Sequence, residues 1–226
     1  MKLVLFDVDG TLLDSQHLIH ACLVHTFERL GRPLLPRARM LSIVGLSLEP
    51  AVRQLLGEET TAAEIEQAAA YYREAFLSRV DDPSHAPPLF PGAAEVVATL
   101  RQRHDVVLGI ATGKSMRGVE RILDGFGWNK GVFATIQTAD KAPSKPHPGM
   151  VLQAAREVGL PPEQAIMIGD TSFDILMGRA AGAATVGVSW GNHPVAELRE
   201  AGADHIIDTF DELLPLVEAL KVPEPS

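Results

Sequence analysis

The chain has 226 residues, of which 46% are hydrophobic and 22% are charged, and its formal net charge is −9. The length allows one large domain, or a core domain with a smaller insert, of ordinary globular composition. The acidic charge argues against nucleic acid as a partner, and no apolar run near the start is long enough for a signal peptide or a membrane span.

A single cysteine, Cys22, rules out an intrachain disulfide and fits a reducing compartment. We therefore expect a cytoplasmic protein that does not bind membranes. It could be a monomer or a homodimer, since the sequence does not decide between these states.

The first predicted element is a buried strand over Leu3–Phe6, which ends at two carboxylates, Asp7 and Asp9. Between residues 15 and 80, apolar side chains recur at helical spacing, and we predict four helices and no strand there. Ser15, Ser47 and Thr60 or Thr61 are the predicted N-caps of three of these helices. Residues 81–92 are rich in proline and are predicted to form a linker.

After residue 92, helices and strands alternate. The predicted strands are Val106–Ala111, Val132–Ile136, Ala165–Ile168, Thr185–Val188 and His205–Ile207, and the predicted helices are Ala93–Arg103, Ser115–Phe126, Gly149–Val158, Phe173–Ala181, Pro194–Ala201 and Phe210–Leu220. This alternation predicts an α/β fold with a doubly wound parallel sheet. We expect residues 1–14 and 86–226 to form the core, residues 15–85 to form an inserted helical cap, and residues 221–226 to fray.

Asp7 and Asp9 leave the first strand at the edge of the sheet where ligands usually bind. Two carboxylates that are two residues apart can point to the same place, where they repel each other. A hard divalent cation relieves this repulsion, and Mg²⁺ is the simplest choice for oxygen ligands.

Two further polar positions follow later strands. Thr112 ends the strand Val106–Ala111 and offers a hydroxyl group to an anion, although a helix cap is an equally good interpretation. Lys145 lies between Pro143 and Pro146 in a stiffened loop, where it is either a solvated lysine or a neutralising charge.

Asp170 and Asp174 lie in the segment GDTSFDI, after a predicted strand. Their spacing places both carboxylates on one face of the helix that starts there. N-terminal helix capping explains either aspartate alone, but it does not explain both.

Together these segments resemble the four motifs of the haloacid dehalogenase-like hydrolases, most of which are phosphatases. The motifs are DVDGTL at Asp7, Thr112, Lys145, and GDTSFD at Asp170, in the order that the family has them. The resemblance covers essentially the whole chain, and the segment GVSWG at Gly187 is most similar to phosphoglycolate-phosphatase-like members with a helical cap. Gly113 departs from the pattern, because many relatives have Asn after the second motif's threonine.

The resemblance implies a role for each motif residue. Asp7 would be the nucleophile that forms an aspartyl-phosphate, and Asp9 would be the general acid and base. Thr112, Gly113 and Lys145 would contact the phosphoryl group. Mg²⁺ would be held by Asp7, by the backbone carbonyl of Asp9 and by Asp170, with Asp174 orienting Lys145 or a metal-bound water.

The expected reaction is Mg²⁺-dependent hydrolysis of a small phosphorylated metabolite, similar to phosphoglycolate. Asp9 argues against a dehalogenase, because a halide needs no proton donor when it leaves. A phosphomutase similar to β-phosphoglucomutase and a pyrophosphatase stay open as alternatives, and a non-catalytic binding module is a more remote one.

Substrate choice is expected to lie in the cap. Gly45 would let the backbone approach the substrate, although a helix C-cap is the simpler explanation of this glycine. Arg53 would pair with a substrate carboxylate, or is an ordinary surface arginine. His17, His20 and His25 do not have the spacing of a convincing metal site.

Overall fold

The centre of the protein is a six-stranded parallel sheet with the strand order β3-β2-β1-β4-β5-β6. It is seen in a computed structural model that describes residues 1–80, 86–128 and 131–220. The strands are Lys2–Phe6 (β1), Val106–Ala111 (β2), Thr135–Gln137 (β3), Ala165–Gly169 (β4), Ala184–Val188 (β5) and His205–Ile207 (β6). The predicted α/β fold with a doubly wound parallel sheet is confirmed.

Helices connect these strands and also fill the segment between β1 and β2. They are Gln16–Arg29 (α1), Arg37–Leu41 (α2), Leu48–Leu56 (α3), Ala62–Val80 (α4), Ala93–Arg101 (α5), Met116–Gly125 (α6), Gly149–Glu157 (α7), Ser172–Ala181 (α8), Val195–Glu200 (α9) and Leu213–Ala219 (α10). In the described part of the chain, no helix is long and apolar enough to cross a membrane.

Strand β1 is buried on both faces of the sheet, which explains its uninterrupted apolar sequence. Val4 and Phe6 pack into one core layer, and Leu3 and Leu5 pack into the layer on the opposite face. Lys2 is also buried, and its ammonium donates to the carbonyl of Glu218 at 3.2 Å near the end of α10. The central strand is therefore fixed by apolar contacts on both sides.

Two predicted elements begin three residues before the observed strand or helix. The predicted strand Val132–Ile136 is instead Thr135–Gln137, because only this segment pairs with β2, while Val132 and Phe133 pack into the core as loop residues. The predicted last helix begins with a 3₁₀ turn at Phe210–Glu212. Residues 81–85 of the predicted linker and the tail 221–226 lie outside the described residues.

Helices α1 to α4, which we call the cap helices, bury apolar side chains mainly against one another. Their largest cluster includes Leu23, Phe27, Met40 and Leu55.

The two connections between the cap helices and the sheet run side by side and are hydrogen-bonded to each other. The Asp14 N–H donates to the Pro88 carbonyl at 2.9 Å, and the Phe90 N–H donates to the Leu12 carbonyl at 2.9 Å. The cap helices therefore join the sheet at one narrow connection.

Candidate active site

The candidate site lies where three neighbouring strands end. Strand β1 lies between β2 and β4 and is parallel to both, so the carboxyl ends of all three strands meet at one edge. Asp7 follows β1, Thr112 follows β2 and Asp170 follows β4. The strand order therefore brings Asp7 together with two side chains that are more than a hundred residues away from it in sequence.

Asp7 is fully buried at this edge. Its Oδ1 accepts a hydrogen bond from the Val8 N–H at 2.6 Å and lies 3.0 Å from the Lys145 ammonium. Its Oδ2 has no hydrogen-bond partner among the described residues. One oxygen of this carboxylate is thus fixed in place, and the other is left available for a ligand or a reacting atom.

Lys145 is held between two aspartates. Its ammonium lies 2.6 Å from Asp174 Oδ1 as well as 3.0 Å from Asp7. The other oxygen of Asp174 accepts from the Thr171 N–H at 3.1 Å and from the Thr171 hydroxyl at 2.7 Å. The Asp174 N–H in turn donates to the Thr171 hydroxyl oxygen at 3.4 Å, which completes a capping box at the start of α8. Asp174 therefore caps its helix and fixes Lys145 at the same time.

Asp170 accepts hydrogen bonds from two other segments. Its Oδ2 accepts from the backbone N–H of Asn192 at 2.7 Å and from the Asn192 side-chain amide at 2.8 Å. Its Oδ1 accepts from the Thr11 hydroxyl at 3.1 Å. Sequence reasoning missed Asn192, because this residue follows β5 in a loop and no local pattern links it to Asp170. Thr11 could have been found, since it belongs to the DVDGTL motif.

Three glycines allow the carboxylates to approach so closely. A Cβ atom at Gly10 or at Gly191 would lie 2.1 Å from an atom of the Asp170 side chain, and a Cβ atom at Gly169 would lie 2.2 Å from Asp174 Cγ. Gly10 also has a φ of +82°, which L side chains rarely adopt. All three glycines are therefore needed, because a side chain at any of them would occupy the space of an aspartate.

The electrostatics of the site follow from burial. Burial raises the pKa of Asp7 to about 8, although the Lys145 ammonium opposes this shift. Burial, with the neighbouring Asp174, raises the pKa of Asp170 to about 7 against the hydrogen bonds from Asn192. Burial disfavours the charged form of Lys145, but Asp174 and Asp7 outweigh it and hold its pKa above the ordinary value. One lysine therefore does not neutralise the cluster, and a proton or a cation must supply the remaining charge.

The cluster fits a hard metal ion. One carboxylate oxygen each of Asp7, Asp170 and Asp174 lies within 4.8 Å of the others, and Asp7 Oδ2 has no hydrogen-bond partner among the described residues. One oxygen of Asp174 is paired with the Lys145 ammonium and the other caps α8, whereas Asp7 has an unpartnered oxygen and Asp170 accepts only from neutral donors. Asp7 and Asp170 are therefore the better ligands. Oxygen ligands of this kind suit Mg²⁺. The three histidines of α1 form no such group among the described residues.

Asp9 lies apart from this cluster and faces the cap helices. Its Oδ1 accepts from the Ser15 hydroxyl at 2.5 Å, and its Oδ2 lies 2.8 Å from the Lys114 ammonium. Ser15 is the N-cap residue of α1, as predicted, but its hydroxyl makes no capping hydrogen bond and donates to Asp9 instead. Asp9 is thus held by a cation and a hydroxyl at the boundary between the cap helices and the sheet.

Thr112 and Gly113 lie beside Asp9. The backbone N–H of Thr112 donates to the Gln137 carbonyl at 3.0 Å, and its hydroxyl oxygen accepts from the Lys114 N–H at 3.3 Å. The hydroxyl proton is therefore the donor left for an anion. A Cβ atom at Gly113 would lie 2.5 Å from the carbonyl oxygen of Leu46 in the loop between α2 and α3. The departure from the family pattern at this position therefore makes room for the cap helices.

A cavity of about 430 Å³ separates the cap helices from the sheet. Asp7, Asp9, Thr112, Gly113 and Gly45 line it. Gly45 has a φ of +98°, and a Cβ atom there would lie 3.0 Å from the Thr171 hydroxyl. The predicted approach of this loop to the site is therefore seen in the structure.

Arg53, the predicted partner of a substrate carboxylate, is not brought to the site. It is exposed on α3 and is not among the residues that line the cavity. The side chains of α3 that line the cavity lie on another face of the helix and include Val52. The alternative interpretation, an ordinary surface arginine, describes its position in the structure.

Comparisons with known proteins agree with this arrangement. Residues 4–188 match the family model described as haloacid dehalogenase-like hydrolase. The chain is 35% identical over 225 residues to probable phosphatase IndB of Dickeya dadantii, with 96% of this chain and 94% of that protein covered. It is 31% identical to a phosphoglycolate phosphatase of Nitrosococcus oceani, with 96% of both chains covered. The crystal structure of a hydrolase from Pseudomonas syringae matches with a TM-score of 0.85 at 27% identity and covers 97% of this chain and 99% of that one.

Proposed function

Because the chain belongs to the haloacid dehalogenase-like hydrolase family, we propose that it is a phosphatase that hydrolyses a small phosphate monoester in the presence of Mg²⁺. Relatives named as phosphatases, a phosphoglycolate phosphatase among them, support this reaction class. The observation that carries the proposal is the buried Asp7 carboxylate, with one oxygen fixed by Lys145 and the other unpartnered beside a cavity.

In the first step, an oxygen of Asp7 attacks phosphorus in line with the ester oxygen. The bond between the Asp7 oxygen and phosphorus forms, the bond between phosphorus and the ester oxygen breaks, and Asp9 gives a proton to the departing alcohol. Lys145 and the Thr112 hydroxyl stabilise the negative charge on the phosphoryl oxygens. The product of this step is an aspartyl-phosphate on Asp7.

In the second step, water hydrolyses this acyl phosphate. Asp9, now a carboxylate, takes a proton from the water as its oxygen attacks phosphorus. Inorganic phosphate leaves, and Asp7 is regenerated as a carboxylate. Asp9 can serve in both steps because it lies in the wall of the cavity and not inside the acidic cluster.

Asp7, the backbone carbonyl of Asp9 and Asp170 would hold the Mg²⁺ ion, which supplies positive charge for the nucleophile and the phosphoryl group. The protein's own part is to fix these ligands. Asn192 and Thr11 hold the Asp170 carboxylate in one orientation, which preorganises the site. Asp174 does the same for the Lys145 ammonium.

Phosphate release from a panel of substrates tests the proposal. The panel includes phosphoglycolate, a sugar phosphate, a nucleoside monophosphate, pyrophosphate and an aryl phosphate, each with Mg²⁺ and with EDTA. We expect release from monoesters that depends on Mg²⁺ and stops in EDTA. Release that is equally fast in EDTA would contradict the metal-dependent reaction.

The same panel separates the alternatives. A pyrophosphatase would have its highest kcat/KM with pyrophosphate. A phosphomutase would convert a hexose phosphate to its isomer without net release of phosphate. No turnover of any compound would support a non-catalytic binding module.

Substitution of Gly113 by alanine tests whether turnover needs the cap helices in the position seen here, with the loop between α2 and α3 against Gly113. The added Cβ atom would meet the backbone oxygens of Leu46 and Gly45 at 2.5 and 2.7 Å, which cannot move aside as a flexible side chain could. We expect kcat/KM for phosphate release to fall about tenfold or more, because small displacements in an active site are costly. Gly125→Ala is the matched control, since nothing lies within 4 Å of its Cβ position. Equal activity of the two variants would contradict the expectation.

A further inference from the structure

The cavity beside Asp7 extends well beyond the space that a phosphoryl group needs. Its volume of about 430 Å³ lies within the range of roughly 300 to 1,000 Å³ that is typical of pockets for larger organic ligands. Asp7 and Asp9 lie in its wall on the side of the sheet. A phosphoryl group bound at Asp7 therefore directs its alcohol group into the remaining space, toward the cap helices.

The wall that faces this space is mainly apolar, and its polar members on the cap helices and their loop are Ser47 and the exposed pair Glu49 and Arg73. Every cap helix except α2 contributes apolar side chains to it, as does the loop between α2 and α3. Among them are Ile19, Leu23, Val44, Val52, Tyr72 and Phe76. Burial raises the pKa of the Tyr72 hydroxyl well above its ordinary value, which agrees with a surrounding that is poor in water.

Four cationic side chains of the described residues line the cavity, and none of them is both buried and without a partner. Lys114 pairs with Asp9, and Arg73 pairs with Glu49 of the same wall. Arg117 is exposed on α6, and the half-buried Arg121 of the same helix is not free. A small hydroxy acid would have to bury its carboxylate against the apolar wall, which is costly without a dedicated cation.

We propose that the natural substrate is the phosphate monoester of an apolar alcohol, with an aromatic or branched aliphatic body that packs against the cap helices. This proposal rests on the phosphatase function and narrows it to a class of leaving group. Removal of apolar surface from water supplies the binding free energy, and Asp7 and Asp9 act at the phosphoryl group and the ester oxygen.

Two esters with similar leaving-group reactivity test the proposal: 2-phenylethyl phosphate and ethyl phosphate, with phosphoglycolate as a third compound. We expect kcat/KM to be about 30-fold or more higher for 2-phenylethyl phosphate than for ethyl phosphate, because the phenyl group is buried in the cavity. We also expect phosphoglycolate to be turned over no faster than ethyl phosphate.

The possible failures are distinguishable. Turnover of all three esters without preference for the phenyl group, or with phosphoglycolate clearly preferred, would overturn the assignment of the leaving group and keep the phosphatase function. No phosphate release from any ester in Mg²⁺ would overturn the phosphatase function, and the leaving-group assignment with it.

A substitution in the wall gives an independent measurement. In Phe76→Ser, we expect the ratio of the two kcat/KM values, 2-phenylethyl over ethyl, to fall about fivefold or more. Leu152→Ser is the control, because Leu152 is an exposed apolar residue of α7 outside the cavity, and its ratio should equal that of the unchanged protein. Circular dichroism checks folding, and Phe76→Leu replaces Phe76→Ser if the latter does not fold, with a smaller fall expected. A ratio that stays constant in a folded Phe76 variant would overturn the proposal.

Discussion

Substitution of Asp7 by asparagine is expected to lower the rate of phosphate release by a factor on the order of 10⁴ or more. The amide has nearly the same shape as the carboxylate, but it lacks the charged oxygen that attacks phosphorus. The fold should persist, because the substitution removes a buried charge and leaves Asp174 as the remaining partner of Lys145. The expected effect is therefore on the chemical step and not on folding.

The measurement is kcat with the best ester of the panel, together with thermal unfolding in EDTA. Asp14→Asn is the matched control, since Asp14 lies in the same segment but does not line the cavity. It should keep nearly full activity. Near-normal turnover in Asp7→Asn would show that another group is the nucleophile.

Substitution of Lys145 by methionine is expected to lower the free energy of unfolding by about 3 to 5 kcal/mol at pH 8, and to abolish most of the activity. The lysine is 2% exposed, and its ammonium lies within 3.0 Å of both Asp7 and Asp174. Methionine fills a similar volume, so the main loss is the positive charge that compensates two buried carboxylates.

The loss of stability should depend on pH. The pKa of Asp7 is already raised to about 8 by burial, and removal of the Lys145 charge raises it further. A carboxyl group with a raised pKa in the folded state holds its proton at low pH and then costs little to bury. In both proteins this contribution to stability falls as the pH rises toward the folded pKa of Asp7. In the wild type the fall ends near pH 8, whereas in the variant, whose folded pKa is higher, it continues at full slope. The deficit should therefore be larger at pH 8 than at pH 6.

Urea unfolding in EDTA at both pH values checks this expectation. Lys141→Met is the control, because Lys141 is an exposed lysine of the same loop, and this variant should lose little stability at either pH. An equal and small deficit for both variants would contradict a structural role of the Lys145 charge.

Much of the fold could be predicted because its strands and helices have strong local patterns. Strand β2 has the predicted bounds, and β1, β4 and β5 each begin one residue earlier than predicted or end one residue later. Strand β3 was displaced, because Val132 and Phe133 have strand-forming side chains but find their apolar partners as loop residues in the core. Val132 and Phe133 can be buried either in a strand or in a loop, and the local sequence pattern does not distinguish the two.

The sequence by itself determined the α/β class, the helical segment after the first strand, and the aspartates and lysine of the four motifs. It could do so because residue type and spacing along one segment fix the local backbone and the available chemistry. The tertiary structure alone decided which distant groups complete the site: Asn192 on Asp170, Ser15 and Lys114 on Asp9, and the apolar wall beside Asp7. These contacts depend on the order of the strands and on the position of the cap helices, which result from long-range packing of many side chains and leave no pattern in any single segment.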